Sequence, residues 1–422
     1  MKPTPDATAW AAPGAVAPPL KRAMPRAWVV LILALLLGIQ PVTTDLYLPA
    51  LPALTEGFAA SMPQAQLTLT ALLLAFGLSQ LVWGPLSDRF GRRPVLLWGM
   101  GAYAVASVGC ALSTSMDGLI VWRTLQGVAM GAAVMTARAV VRDLYQPLEG
   151  ARVMSQALTG LGVIACACAP LGGVLTDHWG WRPALMVLSL FGVLTWGVLA
   201  LRFEETLTRA NPHALSANSL IKAWRVILLN PTFRAYCALS SASYLGLFTF
   251  LAASSFVFVR QFGLNKTHYG LLMLSMSFSY IMGTFICRWL LLRMSVTRCV
   301  ALASCFSMAG GLSLTALAYA GQGQSWYGPW AVMGPVYLFM LAHGVHQPCG
   351  QSGAVAPFPQ MAGTASALNG FLMMLGAFFM GGWLGTHMDH PSLALAHGML
   401  LWSLCIGILA WTWVRRLSAV SA

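Results

Sequence analysis

Charge is what this 422-residue chain has least of. Asp, Glu, Lys and Arg make up 8% of it, against about 25% in a soluble domain, while 58% is hydrophobic. A chain this apolar cannot hide its surface in one water-soluble core, so it is read as polytopic in a membrane. Other absences narrow the function. No Gly-x-x-x-x-Gly-Lys stretch is present, which excludes ATP-driven pumping by this chain alone. Rings of like charge and a filter sequence are missing, which argues against a channel. The nine cysteines are scattered and odd in number; they suggest small buried residues rather than a disulfide framework or a zinc site. His343 and His346 are too few for a metal centre. With no clustered acids or nucleophile beside them, a polytopic enzyme is a remote reading.

Long apolar runs fill the space that charge vacates. They fall near 28–50, 67–87, 94–112, 118–140, 153–175, 183–202, 234–258, 268–291, 297–320, 330–352, 362–386 and 394–414, each about the length that crosses a bilayer as a helix. With the termini in the cytoplasm, all but four of the 24 Lys and Arg fall on the inner side or in the tails. Arg182, Arg260 and Lys266 lie outside, and Arg123 lies within a span. That bias fixes the orientation and explains the net charge of +13 without nucleic acid. The expected organisation is a disordered cytoplasmic tail (1–27), a six-helix bundle (28–202), a cytoplasmic linker (203–233), a second six-helix bundle (234–416) and a short tail (417–422). Gly127 with Gly131, and Gly381 with Gly385, are spaced for close helix approach in lipid.

The run Gly84-Pro-Leu-Ser-Asp-Arg-Phe-Gly-Arg-Arg-Pro94 forms a tight basic turn between two spans. Its Gly84, Leu86, Asp88, Arg89, Gly91, Arg92 and Arg93 resemble the loop motif between helices 2 and 3 of the major facilitator superfamily. Thr44-Asp-Leu-Tyr-Leu-Pro-Ala-Leu-Pro52, Arg138-Ala-Val-Val-Arg-Asp-Leu-Tyr145, Glu205-Thr-Leu207 and Phe358-Pro-Gln-Met-Ala-Gly-Thr-Ala-Ser-Ala-Leu368 resemble the bicyclomycin/chloramphenicol resistance branch of its drug/proton antiporters. Arg123-x-x-Gln-Gly is similar to the span 4 motif associated with proton coupling. The resemblance implies an all-α membrane protein of twelve transmembrane helices in two pseudo-symmetric bundles. It also implies a gating latch in which Asp88 and its arginines pair with Arg142 and Asp143 and with the inner end of span 11.

More than three residues in from a span end, only Asp45 and Arg123 are charged, and an intramembrane charge is a functional candidate by default. Counted along spans 1 and 4, both sit about 7–8 Å below the outer surface, so they are expected to meet and to carry proton coupling; a static ion pair is the alternative. Tyr47, Gln126, Tyr244, Phe248, His343 and His346 are the expected substrate-cavity residues, the two histidines sharing one helix face. An apolar, aromatic cavity with one acid suits amphipathic compounds better than sugars.

Three departures from the branch stand out. Ala169-Pro-Leu-Gly-Gly-Val174 keeps the kink at Pro170 but sets Gly172 and Gly173 one residue early, about 100° around the helix, which puts their packing contact in question. Ser254-Ser255 replaces a proline in span 7, and Pro348-Cys349 stands in span 10 where Pro-Asn is common. The resulting expectation is a secondary transporter, not an enzyme, that exports small amphipathic compounds in exchange for protons. It needs no cofactor beyond the proton. Its partners are a small-molecule substrate and the lipid bilayer, with no nucleic acid, and it is expected to be a monomer in the bacterial inner membrane. Proton-coupled export of an endogenous metabolite is the alternative.

Overall fold

The computed structural model describes residues 24–208, 210 and 214–416. Residues 1–23 of the tail expected at 1–27, with Lys2, Lys21 and Arg22, and the tail expected at 417–422 lie outside the described residues, as do Arg209, Asn211 and Pro212 of the expected linker.

Among the described residues there are fourteen α-helices and no strand. They are α1 Arg26–Thr44, α2 Leu51–Gly57, α3 Met62–Phe90, α4 Arg92–Leu112, α5 Met116–Leu144, α6 Pro147–Trp179 and α7 Trp181–Arg202. After these come α8 Ala217–Leu229, α9 Pro231–Ser255, α10 Lys266–Leu291, α11 Val296–Ala320, α12 Pro329–Val355, α13 Ala362–His387 and α14 Pro391–Leu409. Among the described residues eleven segments are long and apolar enough to cross a membrane. The twelfth span, α12, has the length and no Asp, Glu, Lys or Arg; His343, His346, Gln347 and its prolines dilute its apolar character.

Local sequence sets the helix ends. Ser61, Ser115, Asn230, Asn265 and Ser295 each accept a backbone N–H of the helix they open, which satisfies donors that have no partner within the helix. Gly91 makes the sharp turn between α3 and α4 at φ +103°, a conformation that side chains with a Cβ rarely adopt.

Helices α1 and α3–α7 pack among themselves, and α9–α14 do the same. The two groups meet along two seams, α3 against α13 and α6 against α10. Glycine lines both. A Cβ at Gly381 or Gly385 of α13 would run into Thr70 or Pro63 of α3, and one at Gly77 of α3 would strike Met374. Gly173 of α6 lies on the Lys266 carbonyl, and Gly270 of α10 on that of Ala169. The Gly127–Gly131 pair of α5 also faces α3, against the Leu72 carbonyl and Ser79. So α3 is gripped by both glycine pairs, one from its own bundle and one across the seam. Large apolar side chains such as Val105, Leu112, Leu190, Leu201 and Phe379 stay exposed on the perimeter, as lipid-facing surface requires.

The stretch after α7 is not a continuous loop. Phe203–Leu207 folds back onto the first bundle, and α8 follows as a 13-residue amphipathic helix. The ends of α3, α5 and α7 and the start of α4 gather at one pole with most of the arginines, called the basic end below.

Candidate functional site

Arg123 is wholly buried and sits at the centre of a polar network spanning four helices. Its Nη1 donates to the Thr43 carbonyl of α1 at 3.1 Å and to Gln126 Oε1 at 2.8 Å, and its Nε to the Thr68 carbonyl of α3 at 3.4 Å. Its guanidinium lies 4.2 Å from the Tyr47 ring centroid, a cation–π contact strengthened by desolvation. Gln126 donates to Ser107 of α4, Tyr47 to Thr68, and the hydroxyls of Thr43 and Tyr103 share a bond.

The expected Asp45–Arg123 pair does not form. Arg123 reaches residue 43, whereas Asp45 lies two residues on, about 200° around the helix. The Asp45 carboxylate accepts instead from the Thr44 hydroxyl at 2.8 Å. It opens into a narrow crevice between the bundles, walled by Leu48, Ala165, Ala169, Leu251, Met273 and Ser277. Depth counted along two spans was legible in the sequence; the side of the helix that each charge takes was not.

The other expected cavity residues divide. Tyr244 of α9 is partly exposed and turns its hydroxyl to Gln40 of α1, on the Asp45 side of the seam. Tyr47 and Gln126 are fully buried in the arginine network, and Phe248 is buried against Gly381. The histidines do not make one cavity wall. His343 Nδ1 bonds the Ser243 hydroxyl at 2.8 Å and its ring packs on Tyr280, while His346 Nε2 meets the Val300 carbonyl of α11 at 3.3 Å. Residues three apart still diverge by about 60°, enough to send each into a different helix contact.

At the basic end, Arg92 is buried at 2% exposure and holds two carboxylates, Asp88 at 2.6 Å and Asp143 at 2.8 Å, with the Ser87 hydroxyl at 2.7 Å. Arg142 is only 4.0 Å from Asp88 and both are open to solvent, so that contact is weak. Arg89 is exposed and leans on Phe90. Arg93 donates to the carbonyls of Ala200 and Phe203. Glu205, read in the sequence only as an acidic loop residue within a family signature, accepts the first two N–H groups of α4, those of Arg92 and Arg93, at 2.9 and 3.0 Å. Its carboxylate also fills the space where a Cβ on Gly91 would go. Gly84 faces Met135 across the α3–α5 contact.

The expected bond from Asp88 to span 11 is not formed. Between Asp88 and the start of α13 lies a cavity of about 400 Å³, lined also by Arg138, Arg142, Trp224, Gly363 and Thr364. The two bundles touch beside it where Arg138 donates to Ser366 at 2.5 Å.

The opposite end is closed. Leu48, Pro49 and Ala50 are buried against α6, α9 and α10, and Leu51 is buried beside them. Asp177, near the end of α6, accepts the backbone N–H groups of Lys266 and Thr267 at 3.1 and 2.7 Å and the Thr267 hydroxyl at 2.6 Å. The Lys266 ammonium is 3.7 Å away. A carboxylate from one bundle thus caps a helix of the other. Just below, Gly172 lies on the Leu46 carbonyl and Gly173 on that of Lys266. The shifted glycines therefore keep close packing, one toward each bundle. Nothing in the local sequence marks Asp177, whose partners lie about 90 residues away.

Residues 33–381 match the family described as Major Facilitator Superfamily. The chain is 28% identical to multidrug resistance protein D of Escherichia coli (strain K12), covering 83% of this chain and 86% of the relative. It is 30% identical to a chloramphenicol resistance protein of Pseudomonas aeruginosa, covering 77% and 75%. It is 27% identical to a bicyclomycin resistance protein homolog of Haemophilus influenzae, covering 83% and 87%. In fold it is similar to a D-xylose–proton symporter, with a TM-score of 0.68, 13% identity and coverage of 89% and 96%.

Proposed function

The chain belongs to the major facilitator superfamily, and from that premise we propose that it exports small drug-like, amphipathic compounds in exchange for protons. The relatives named for resistance to several drugs, bicyclomycin and chloramphenicol support this reading. The observation that carries it is Asp45. This one carboxylate inside a span opens into an apolar crevice between the two bundles. A proton or the cationic group of a substrate neutralises it, or a polar group hydrogen-bonds it, and proton and substrate exclude each other. That mutual exclusion is what antiport requires.

Alternating access follows from the two ends. The Asp177 clasp and the buried Leu48–Leu51 turn close the outer side. On the cytoplasmic side, the Asp88–Arg92–Asp143 network holds within the first bundle, while the cavity before α13 keeps Asp88 off that helix. In the opposite state Asp88 engages the start of α13, which Arg142 already borders at Gly363, and the Asp177 clasp is released. In this reading the domain boundary lies in the segment from Phe203 to Asn230, and the chain sits in the bacterial inner membrane with both termini cytoplasmic. Arg123 fixes the α1 turn that presents Asp45 and acts on coupling through it.

The test is proton movement in inside-out vesicles. Substrate-dependent proton release that is lost in Asp45→Asn supports the proposal. Release that survives in Asp45→Asn overturns the role of Asp45. No release with any of a panel of amphipathic drugs, but release with an amino acid, nucleoside or sulfur compound, establishes the metabolite reading in its place.

A further inference from the structure

Nothing in the transport reading uses Cys287 of α10 or Cys349 of α12. Their sulfurs are 3.8 Å apart, each thiol faces the other, and both are 3% exposed. We propose that this pair is a two-coordinate binding site for a divalent thiophilic cation of the mercury(II) type.

The backbone holds the pair in place. One turn before Cys287, Gly283 lies on the Leu341 carbonyl of α12, and Gly344 of α12 lies on the Tyr280 carbonyl of α10. At two such backbone crossings neither helix slides far, so the sulfurs stay opposed. Both lie near the basic end, about 6 Å from the end of α10 and about 9 Å from that of α12.

Donor number and charge select the ion. Among the described residues no group of three or more His, Cys, Asp or Glu is placed to hold a metal. Zinc, which takes four ligands, and hard ions, which take six or more oxygens, are therefore excluded. Thiolates favour soft ions. With metal–sulfur bonds of about 2.3 Å, a linear S–M–S unit spans about 4.6 Å, so the sulfurs need to part by less than 1 Å, within reach of small χ1 adjustments. Binding is a balanced exchange: both S–H bonds break, two M–S bonds form, and two protons leave to water. Two thiolates and a divalent ion sum to zero charge. That matters for two buried sulfurs, where a net charge is costly; a monovalent ion on two thiolates leaves one negative charge behind, offset only by the nearby Arg288.

The experiment uses the full-length purified protein loaded with mercury(II) acetate and washed with a monothiol, which strips the ion from isolated cysteines. Bound mercury is then counted per chain. One ion per chain is expected in the parent and in Cys305→Ser, whose thiol is exposed and outside the pair. Cys287→Ser and Cys349→Ser are each expected to retain at least ten-fold less. Thermal unfolding of both variants, with Cys349→Ala as a second replacement, separates loss of the site from loss of the fold. A parent that retains no ion, or folded Cys287→Ser and Cys349→Ser variants that retain as much as the parent, overturns the proposal.

Discussion

Replacing Asp177 by Asn removes one charge from the clasp and little else. The carboxylate accepts two backbone N–H groups that open α10 and one hydroxyl from the same turn, and helix-opening N–H groups have no partner within their own helix. Asn keeps one acceptor oxygen and turns an NH2 toward a donor, so at least one of these bonds is lost and the others drop to neutral strength. Hydrogen bonds to a charged group contribute about 1.5–3 kcal/mol each and neutral ones about 1. The side chain is about one-fifth exposed, which calls for the lower end of that range. The clasp then weakens by about 2 kcal/mol, or about thirty-fold in its opening equilibrium. Hydrogen exchange followed by mass spectrometry reads this directly: the amides of Lys266 and Thr267 should exchange about thirty times faster in Asp177→Asn. The first turn of α11, capped by Ser295 within its own bundle, should not change. Lys266→Met, which keeps both backbone bonds, should have a much smaller effect. An exchange rate altered less than two-fold at the start of α10, or an equal rise in both helices, would refute the view that this carboxylate holds the outer end closed.

Two further outcomes follow from the geometry. Arg92→Met strands Asp88 and Asp143 without their shared cation and should cost about 3–5 kcal/mol, seen as a large fall in thermal unfolding temperature. Arg92→Lys should recover only part of that, because one ammonium cannot match the fork that meets both carboxylates and Ser87. Gly173→Val should abolish vesicle transport by driving a side chain into the Lys266 carbonyl, whereas Gly162→Ala, which meets nothing within 4 Å, should transport like the parent.

What the sequence made legible depended on scarcity. Apolar length alone located the spans, because charge is too rare to interrupt them by chance. Asp88, Arg92 and Asp143 were singled out by the resemblance of their motifs, and the structure joins them. What it hid were relations between distant ends. Asp177 was visible only as an acid near a surface, and Glu205 only as a loop acid within a family signature. Their work is to cap helices that begin more than 100 residues earlier and about 90 later, and no local pattern records such a partner. Asp45 and Arg123 were matched in depth but not in azimuth, since a two-residue offset turns the carboxylate away. The histidines failed similarly, because sharing a face of α12 does not mean sharing a neighbour. The inserted α8 was missed because thirteen residues with one apolar face do not resemble a span.

The Arg123 network and the glycine seams have opposite mechanical characters. Bonds radiating from one guanidinium to α1, α3 and its own helix α5, and on through Gln126 to α4, cross-brace the middle of the first bundle. Distorting it would break several buried polar contacts at once. The seams at α3–α13 and α6–α10 instead set glycine against a neighbouring helix, beneath the Thr70 and Met374 side chains at the first and on backbone carbonyls at the second. In the proposed exchange cycle a braced bundle moves as one body, so the change between states falls at the surfaces between the bundles, where Asp45 lies.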